Sequence, residues 1–179
     1  MFVIDNADTM EPSWWEAKFL LETLLEKARG LDENGIDVMF TIGSDKDNLQ
    51  NQKGKSKIMA LMNNMGARPQ KGHGNHTDMT EVLGKIFKKY IVHAKRNTHY
   101  KLPVNNLTLI VLTDGIWAGT RNKHEVSAKI VNFSKELERT IGSLEERPVS
   151  IQFIQFGYDI DATARLKALD DNLIYLGIP

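Results

Sequence analysis

The stretch that most limits the possible folds is the first ten residues, Met-Phe-Val-Ile-Asp-Asn-Ala-Asp-Thr-Met. Phe2, Val3 and Ile4 form an unbroken apolar run, and Asp5 ends it abruptly. A run that short and that apolar reads as a strand buried on both faces. Oxygen-bearing residues crowd behind it: Asp5, Asn6, Asp8, Thr9 and Glu11. Pro12 and Ser13 punctuate, and a helical pattern starts at Trp14. The order is therefore buried strand, polar loop, helix. In open α/β sheets ligands sit outside the carboxyl ends of the strands, which is where this pattern puts Asp5.

The remainder alternates between the two periodicities. Ser13 and Glu16 have capping-box spacing. Ala17, Leu20, Leu21, Leu24 and Ala28 then recur at helical spacing up to Gly30. Residues 36–42 alternate as a strand. Residues 43–57 are polar, and Ile58, Leu61, Met62 and Met65 predict a short helix closed by Gly66. Residues 67–76 hold Pro69, Gly72 and Gly74 and read as a loop with room for a short antiparallel edge strand. A long helix follows from Asp78, with Met79, Leu83, Ile86, Phe87, Tyr90 and Ala94 on one face. Leu107 to Leu112 is a second buried strand. Val126 to Ile141 is helical, residues 149–156 alternate, residues 159–170 are a short helix, and Leu173 to Leu176 reads as a last strand. Strands alternating with helices imply parallel pairing, right-handed crossovers and helices on both faces. The expected fold is a three-layer, doubly wound, mainly parallel α/β sheet.

The layout of the first loop recurs. The strand at Leu107 ends in Thr113-Asp114-Gly115, and the loop Gly72-His73-Gly74-Asn75-His76-Thr77-Asp78 opens onto a helix. An Asp-x-Ser-x-Ser after the first strand, a loop Thr, and a Thr-Asp-Gly after a later strand mark the von Willebrand factor A domain. The chain resembles that family over essentially its whole length, and most resembles its intracellular versions common in fungi. The resemblance implies one such domain over residues 1–179, with the first strand central between those at Ile36 and Leu107. It also implies a metal-ion-dependent adhesion site at Asp5, Thr9, Thr77 and Asp114. Such a site holds a divalent cation and leaves one coordination position for a carboxylate from a protein partner. That is recognition and not catalysis. Ala7 departs from the pattern, because the family carries Ser there.

The residues themselves suit this chemistry. Two carboxylates and two hydroxyls are hard oxygen donors, which favour Mg²⁺, an ion that keeps several waters. With Ala7 one fixed oxygen is missing, so the expected binding is weak. The alternative is a degenerate, metal-independent scaffold in which Asp5 and Asp114 only accept hydrogen bonds from loop amides. One of Trp14 and Trp15 is expected in the core. The other, with Trp117 and with Asp8 on the first loop, is expected to rim the partner surface.

Rival motifs fare less well. Gly54-Lys55-Ser56 resembles a phosphate-binding loop, but that motif needs a Gly where Leu49 stands. Asp5-Asn6-Ala7-Asp8-Thr9 also resembles the Asp-x-Asp-x-Thr of Mg²⁺-dependent aspartate-nucleophile phosphatases. That hydrolase reading makes Asp5 catalytic, yet Ala7 occupies the place of the second acid. His73 and His76 lack a third ligand of matching spacing for zinc. The basic run Lys85, Lys88, Lys89, Lys95 and Arg96 lies on the polar side of an amphipathic helix and reads as a solvated face.

Composition narrows the partners. The 179 residues carry 23 Lys plus Arg against 23 Asp plus Glu, so no bulk field draws in nucleic acid. No cysteine is present, which excludes disulfides and thiolate zinc sites and fits a reducing, cytoplasmic setting. No apolar run approaches the roughly 18 residues of a membrane span. The strand at the very start and the apolar run at the very end point to a monomeric domain cut from a longer protein.

Overall fold

The computed structural model describes residues 1–28, 30, 34–65, 76–122 and 124–175. Phe2–Ile4 forms β1, with all three residues buried. It pairs in parallel with β2, Ile36–Phe40, on one side and with β4, Leu107–Thr113, on the other. β5, Val149–Gln155, extends the sheet beyond β4 in parallel. β3, Leu49–Gln52, lies antiparallel to β2 at the opposite edge. The order is β3-β2-β1-β4-β5, so the first strand is central between the strands at Ile36 and Leu107, as expected.

Alternation along β1 splits the interior into two cores. Phe2 and Ile4 face one of them with α1, Trp14–Lys27, and α2, Lys55–Asn64, through Ala17, Leu21, Ile58 and Met62. Val3 faces the other, which is built from α3, Met79–His99, α4, Glu125–Ile141, and α5, Ile160–Tyr175. The fold is thus the three-layer α/β arrangement that the alternating pattern predicts. Asp78 caps α3 by accepting from the Glu81 N–H at 3.1 Å. Among the described residues no helix is long and apolar enough to cross a membrane.

Several local expectations change. Ser13 makes no capping hydrogen bond, because a 3-10 turn over Asp8–Ser13 leads directly into α1. β2 ends two residues short of Ile42, and α2 starts earlier than its first apolar residue. The antiparallel edge strand is Leu-Gln-Asn-Gln, inside the polar stretch 43–57. Of residues 67–76, only His76 lies within the described residues, and it belongs to no helix or strand. Leu173 to Tyr175 continue α5 and do not form a strand, while Leu176 lies outside the described residues. The seven residues of β5 pair with β4 without a break in register. Among the described residues nothing pairs with the outer edge of β5.

The tightest aromatic contact joins α3 to α4. Phe87 and Phe133 stack at 4.0 Å between centroids and 7° between planes. Both are buried among Leu83, Ile86, Ile130 and Leu137. Truncating Phe133 to Ala should cost about 3–5 kcal/mol, the range for a buried aromatic that leaves a cavity. Urea denaturation of Phe133→Ala beside wild type measures it, and a loss under about 1 kcal/mol would show that the two helices repack.

Candidate functional site at the carboxyl edge

Asp5 follows the last residue of the central strand, and its side chain is wholly buried. Its backbone N–H still belongs to the sheet, donating to the Leu112 carbonyl at 2.8 Å. The carboxylate is therefore held rigidly at the strand end. Oδ2 accepts from the Thr113 hydroxyl at 2.6 Å. Oδ1 accepts from the Thr77 hydroxyl at 2.5 Å and the Ala7 N–H at 3.2 Å. The Thr41 hydroxyl lies 3.2 Å from the same oxygen.

Proton counting fixes one of these bonds. The Thr113 oxygen accepts from the Gly115 N–H and from the Trp117 Nε1–H, both at 2.9 Å. A hydroxyl has two lone pairs and one proton, so its proton goes to Asp5. Thr41 has more acceptors than protons. Asp5 Oδ1 at 3.2 Å, Asn6 Oδ1 at 3.2 Å and Thr77 Oγ1 at 2.8 Å all lie within its reach. Thr77, Thr41 and Asn6 thus form a hydroxyl and amide chain running outward from Asp5.

Asp114 stands beside this cluster. Its Oδ1 accepts from the Ile116 N–H at 2.8 Å. Its Oδ2 is buried and has no hydrogen-bond partner among the described residues. Burial pushes the Asp5 carboxyl above its ordinary value of 3.8, and the Asp114 charge pushes the same way. Hydrogen bonds from Thr113, Thr77 and Ala7 pull it back without cancelling the burial.

Of the four predicted ligands, Asp5 and Thr77 touch, and Asp114 lies within electrostatic range of Asp5. Thr9 does not join them. It is exposed, and no hydrogen bond among the described residues ties it to the cluster. The 3-10 turn explains this: its three-residue repeat puts Ala7 and Met10 on the inner side and leaves Asp8 and Thr9 outside. Asp8 is exposed. Trp117 is not a rim residue. It is 2 % exposed, its indole N–H is spent on Thr113, and its ring packs 5.6 Å from Phe153. Trp14 packs against the α1 core while Trp15 is 66 % exposed. His73 lies outside the described residues.

Two members were missed from the sequence, Thr113 and Thr41. Thr113 stands next to Asp114 in the motif, and its position before the acid was a usable signal. Thr41 gave none, since it sits at the end of a strand found only by its apolar neighbours. Gly119 is the third omission. Its N–H donates to the Thr77 carbonyl at 3.1 Å, and a methyl group on it would lie 2.9 Å from the Asp78 nitrogen. Only glycine lets the loop after β4 press this closely on the loop that carries Thr77.

Among the described residues no three His, Asp or Glu side chains gather around a point. The oxygen donors gathered here are the carboxylates of Asp5 and Asp114 and the hydroxyls of Thr77, Thr113 and Thr41. Lys55, from the phosphate-loop look-alike, is paired instead with Glu22 at 2.9 Å and Glu26 at 2.6 Å. Compared with known proteins, the chain matches no family model and no curated sequence.

The raised Asp5 pKa has a thermodynamic sign. The folded protein holds that proton more tightly than the unfolded chain does. Stability is therefore lost as pH rises from the ordinary carboxylate value through the higher folded value. In metal-free buffer, wild type should lose stability relative to Asp5→Asn from about pH 4 upward. The divergence should stop once Asp5 is fully ionised. Urea denaturation of both proteins across pH reads the difference, and other titrating groups cancel in it. A constant difference would mean that Asp5 does not titrate in that window.

Proposed function

We propose that this chain is a protein-interaction domain of the von Willebrand factor A type, with a divalent cation, Mg²⁺, at its carboxyl edge. The observation that carries the reading is the buried Asp114 Oδ2, which has no hydrogen-bond partner among the described residues and lies within electrostatic range of the buried Asp5. A buried carboxylate oxygen left unpaired is costly, and a cation removes that cost. The donor set fits a hard ion: carboxylate, hydroxyl and water suit Mg²⁺. Asp114 and Thr77 are the residues that would hold it, with Asp5 acting behind them through its hydroxyl partners. The bound ion supplies a Lewis-acidic site for a partner's carboxylate.

One further feature supports recognition over chemistry. Both oxygens of the buried Asp5 are engaged in hydrogen bonds, which suits a supporting role better than that of a nucleophile. The central place of β1 agrees with the family layout. The setting we propose is intracellular, as in the fungal domains the sequence resembles, and the domain acts as a monomer.

Ala7 sets the affinity in this reading. It is buried at the edge, and its N–H already supports Asp5. Mg²⁺ gives up water reluctantly, so one missing hydroxyl weakens binding. Calorimetric titration with Mg²⁺ and Mn²⁺ should show weak binding to wild type, tighter binding to Ala7→Ser and none to Asp114→Ala. All three should fold, because the changes lie at the rim of the sheet. Equal affinity in the three proteins would place any cation elsewhere and sink the proposal.

A further inference from the structure

A groove of about 570 Å³ lies between α3 and the sheet, at the amino end of the strands where Leu107 begins β4. Cavities that hold small ligands span roughly 300–1,000 Å³. The layers explain where it sits. Val3 pairs with Met39, so Met39 stands on the face of the sheet that α3 covers. Met39 and Leu107 pack against that core yet remain half-buried. The buried Ile86 and Tyr90 of α3 complete the apolar lining. Tyr90 brings no free donor, because its hydroxyl is spent between the Asn105 carbonyl at 2.8 Å and the Pro148 carbonyl at 3.2 Å. A molecule seated there would take the remaining surface of Met39 and Leu107 out of water.

The basic part of the lining lies on one ridge of the helix. Lys85, Lys89 and His93 recur every fourth residue, a spacing that sets neighbouring Cβ atoms about 5–6 Å apart. Lys85 is paired with Glu81 at 2.8 Å. Lys89 is exposed and makes no ion pair among the described residues. The proton on His93 can be placed by counting. The Asn97 amide nitrogen donates to the Pro103 carbonyl at 2.6 Å and lies 3.3 Å from His93 Nε2. That nitrogen has no lone pair to offer, so Nε2 is the acceptor and the neutral ring carries its proton on Nδ1. The Lys89 ammonium and the His93 Nδ1–H are thus two donors without a protein acceptor among the described residues. Asp37, the one acid among the described lining residues, already accepts from the Asn51 N–H at 2.8 Å.

We propose that this groove binds a small organic acid with an apolar body and a single carboxylate. The carboxylate accepts from the Lys89 ammonium and the His93 Nδ1–H, and the apolar body covers Met39, Leu107 and Ile86. Charge complementarity selects the class: an ionised carboxylate only accepts, and its bond to an ammonium is stronger than one between neutral groups. One lysine without an ion pair and one neutral imidazole match one negative charge. The groove shares no residue with the cluster around Asp5 and Asp114, so this inference stands apart from the cation reading.

The test titrates decanoate, kept below its micelle concentration, into protein carrying methyl-labelled methionine, with NMR as the readout. The Met39 methyl resonance should shift and saturate, while those of Met10 and Met62, buried on the other face of the sheet, stay in place. Decanol and decyltrimethylammonium, which share the chain and change the head group, should bind at least roughly tenfold more weakly. Lys89→Gln should weaken decanoate by at least the same factor and leave decanol unchanged. Lys89 is exposed, so the fold is not at stake, and circular dichroism checks it. Lys88→Gln, beside the groove but outside its lining, should change nothing. No saturable shift of Met39 with decanoate overturns the site. Equal binding of decyltrimethylammonium means that Asp37 and not Lys89 sets the sign, and equal losses in the two lysine variants mean that only the general charge of α3 attracts the acid; either result overturns the proposal.

Discussion

One buried carboxyl group governs the carboxyl edge. Asp5 ends the central strand with no exposed surface, where an ionised carboxylate is stable only if its oxygens are met by fixed donors. Those donors come from four separate segments: Ala7 after β1, Thr41 after β2, Thr77 before α3, and Thr113 at the end of β4. A single side chain thereby fixes the relative positions of four chain segments. The raised pKa shows that the donors do not fully offset the burial.

Support for this cluster comes from below and beside it. Trp117 turns inward and spends its only donor on Thr113, so an apolar ring and a polar network share one anchor. Arg165 then covers that ring and reaches the Gly115 carbonyl. Gly119 lets two loops meet at backbone distance. The polar site is thus continuous with the α3–α4–α5 core.

The sequence made the central elements legible because their signals were strong and local. The unbroken apolar run at Phe2–Ile4 is cut off at once by Asp5, the mark of a buried strand, and the helical faces of α3 and α4 repeat cleanly. It concealed β3, since an edge strand with one apolar residue looks like a connection. Leu-Ile-Tyr near the end misled in the other direction: a short apolar run is equally a helix end. At the site, Asp5 and Thr77 were visible from motif spacing. Thr9 was misplaced because spacing does not say which side of a turn faces inward. Trp117 was misplaced because an aromatic in a loop says nothing of what it packs against.

β5 invites a different consideration. Its sequence, Val-Ser-Ile-Gln-Phe-Ile-Gln, holds no charge and no proline, and its pairing with β4 has no bulge. β3, at the other margin, is short, mostly polar and irregular in register. Proteins usually protect sheet margins with the devices that β3 has and β5 lacks. Among the described residues no strand pairs with the outer margin of β5. An edge without charge, proline or bulge is the kind to which a further extended segment can add with no rearrangement of the sheet's interior.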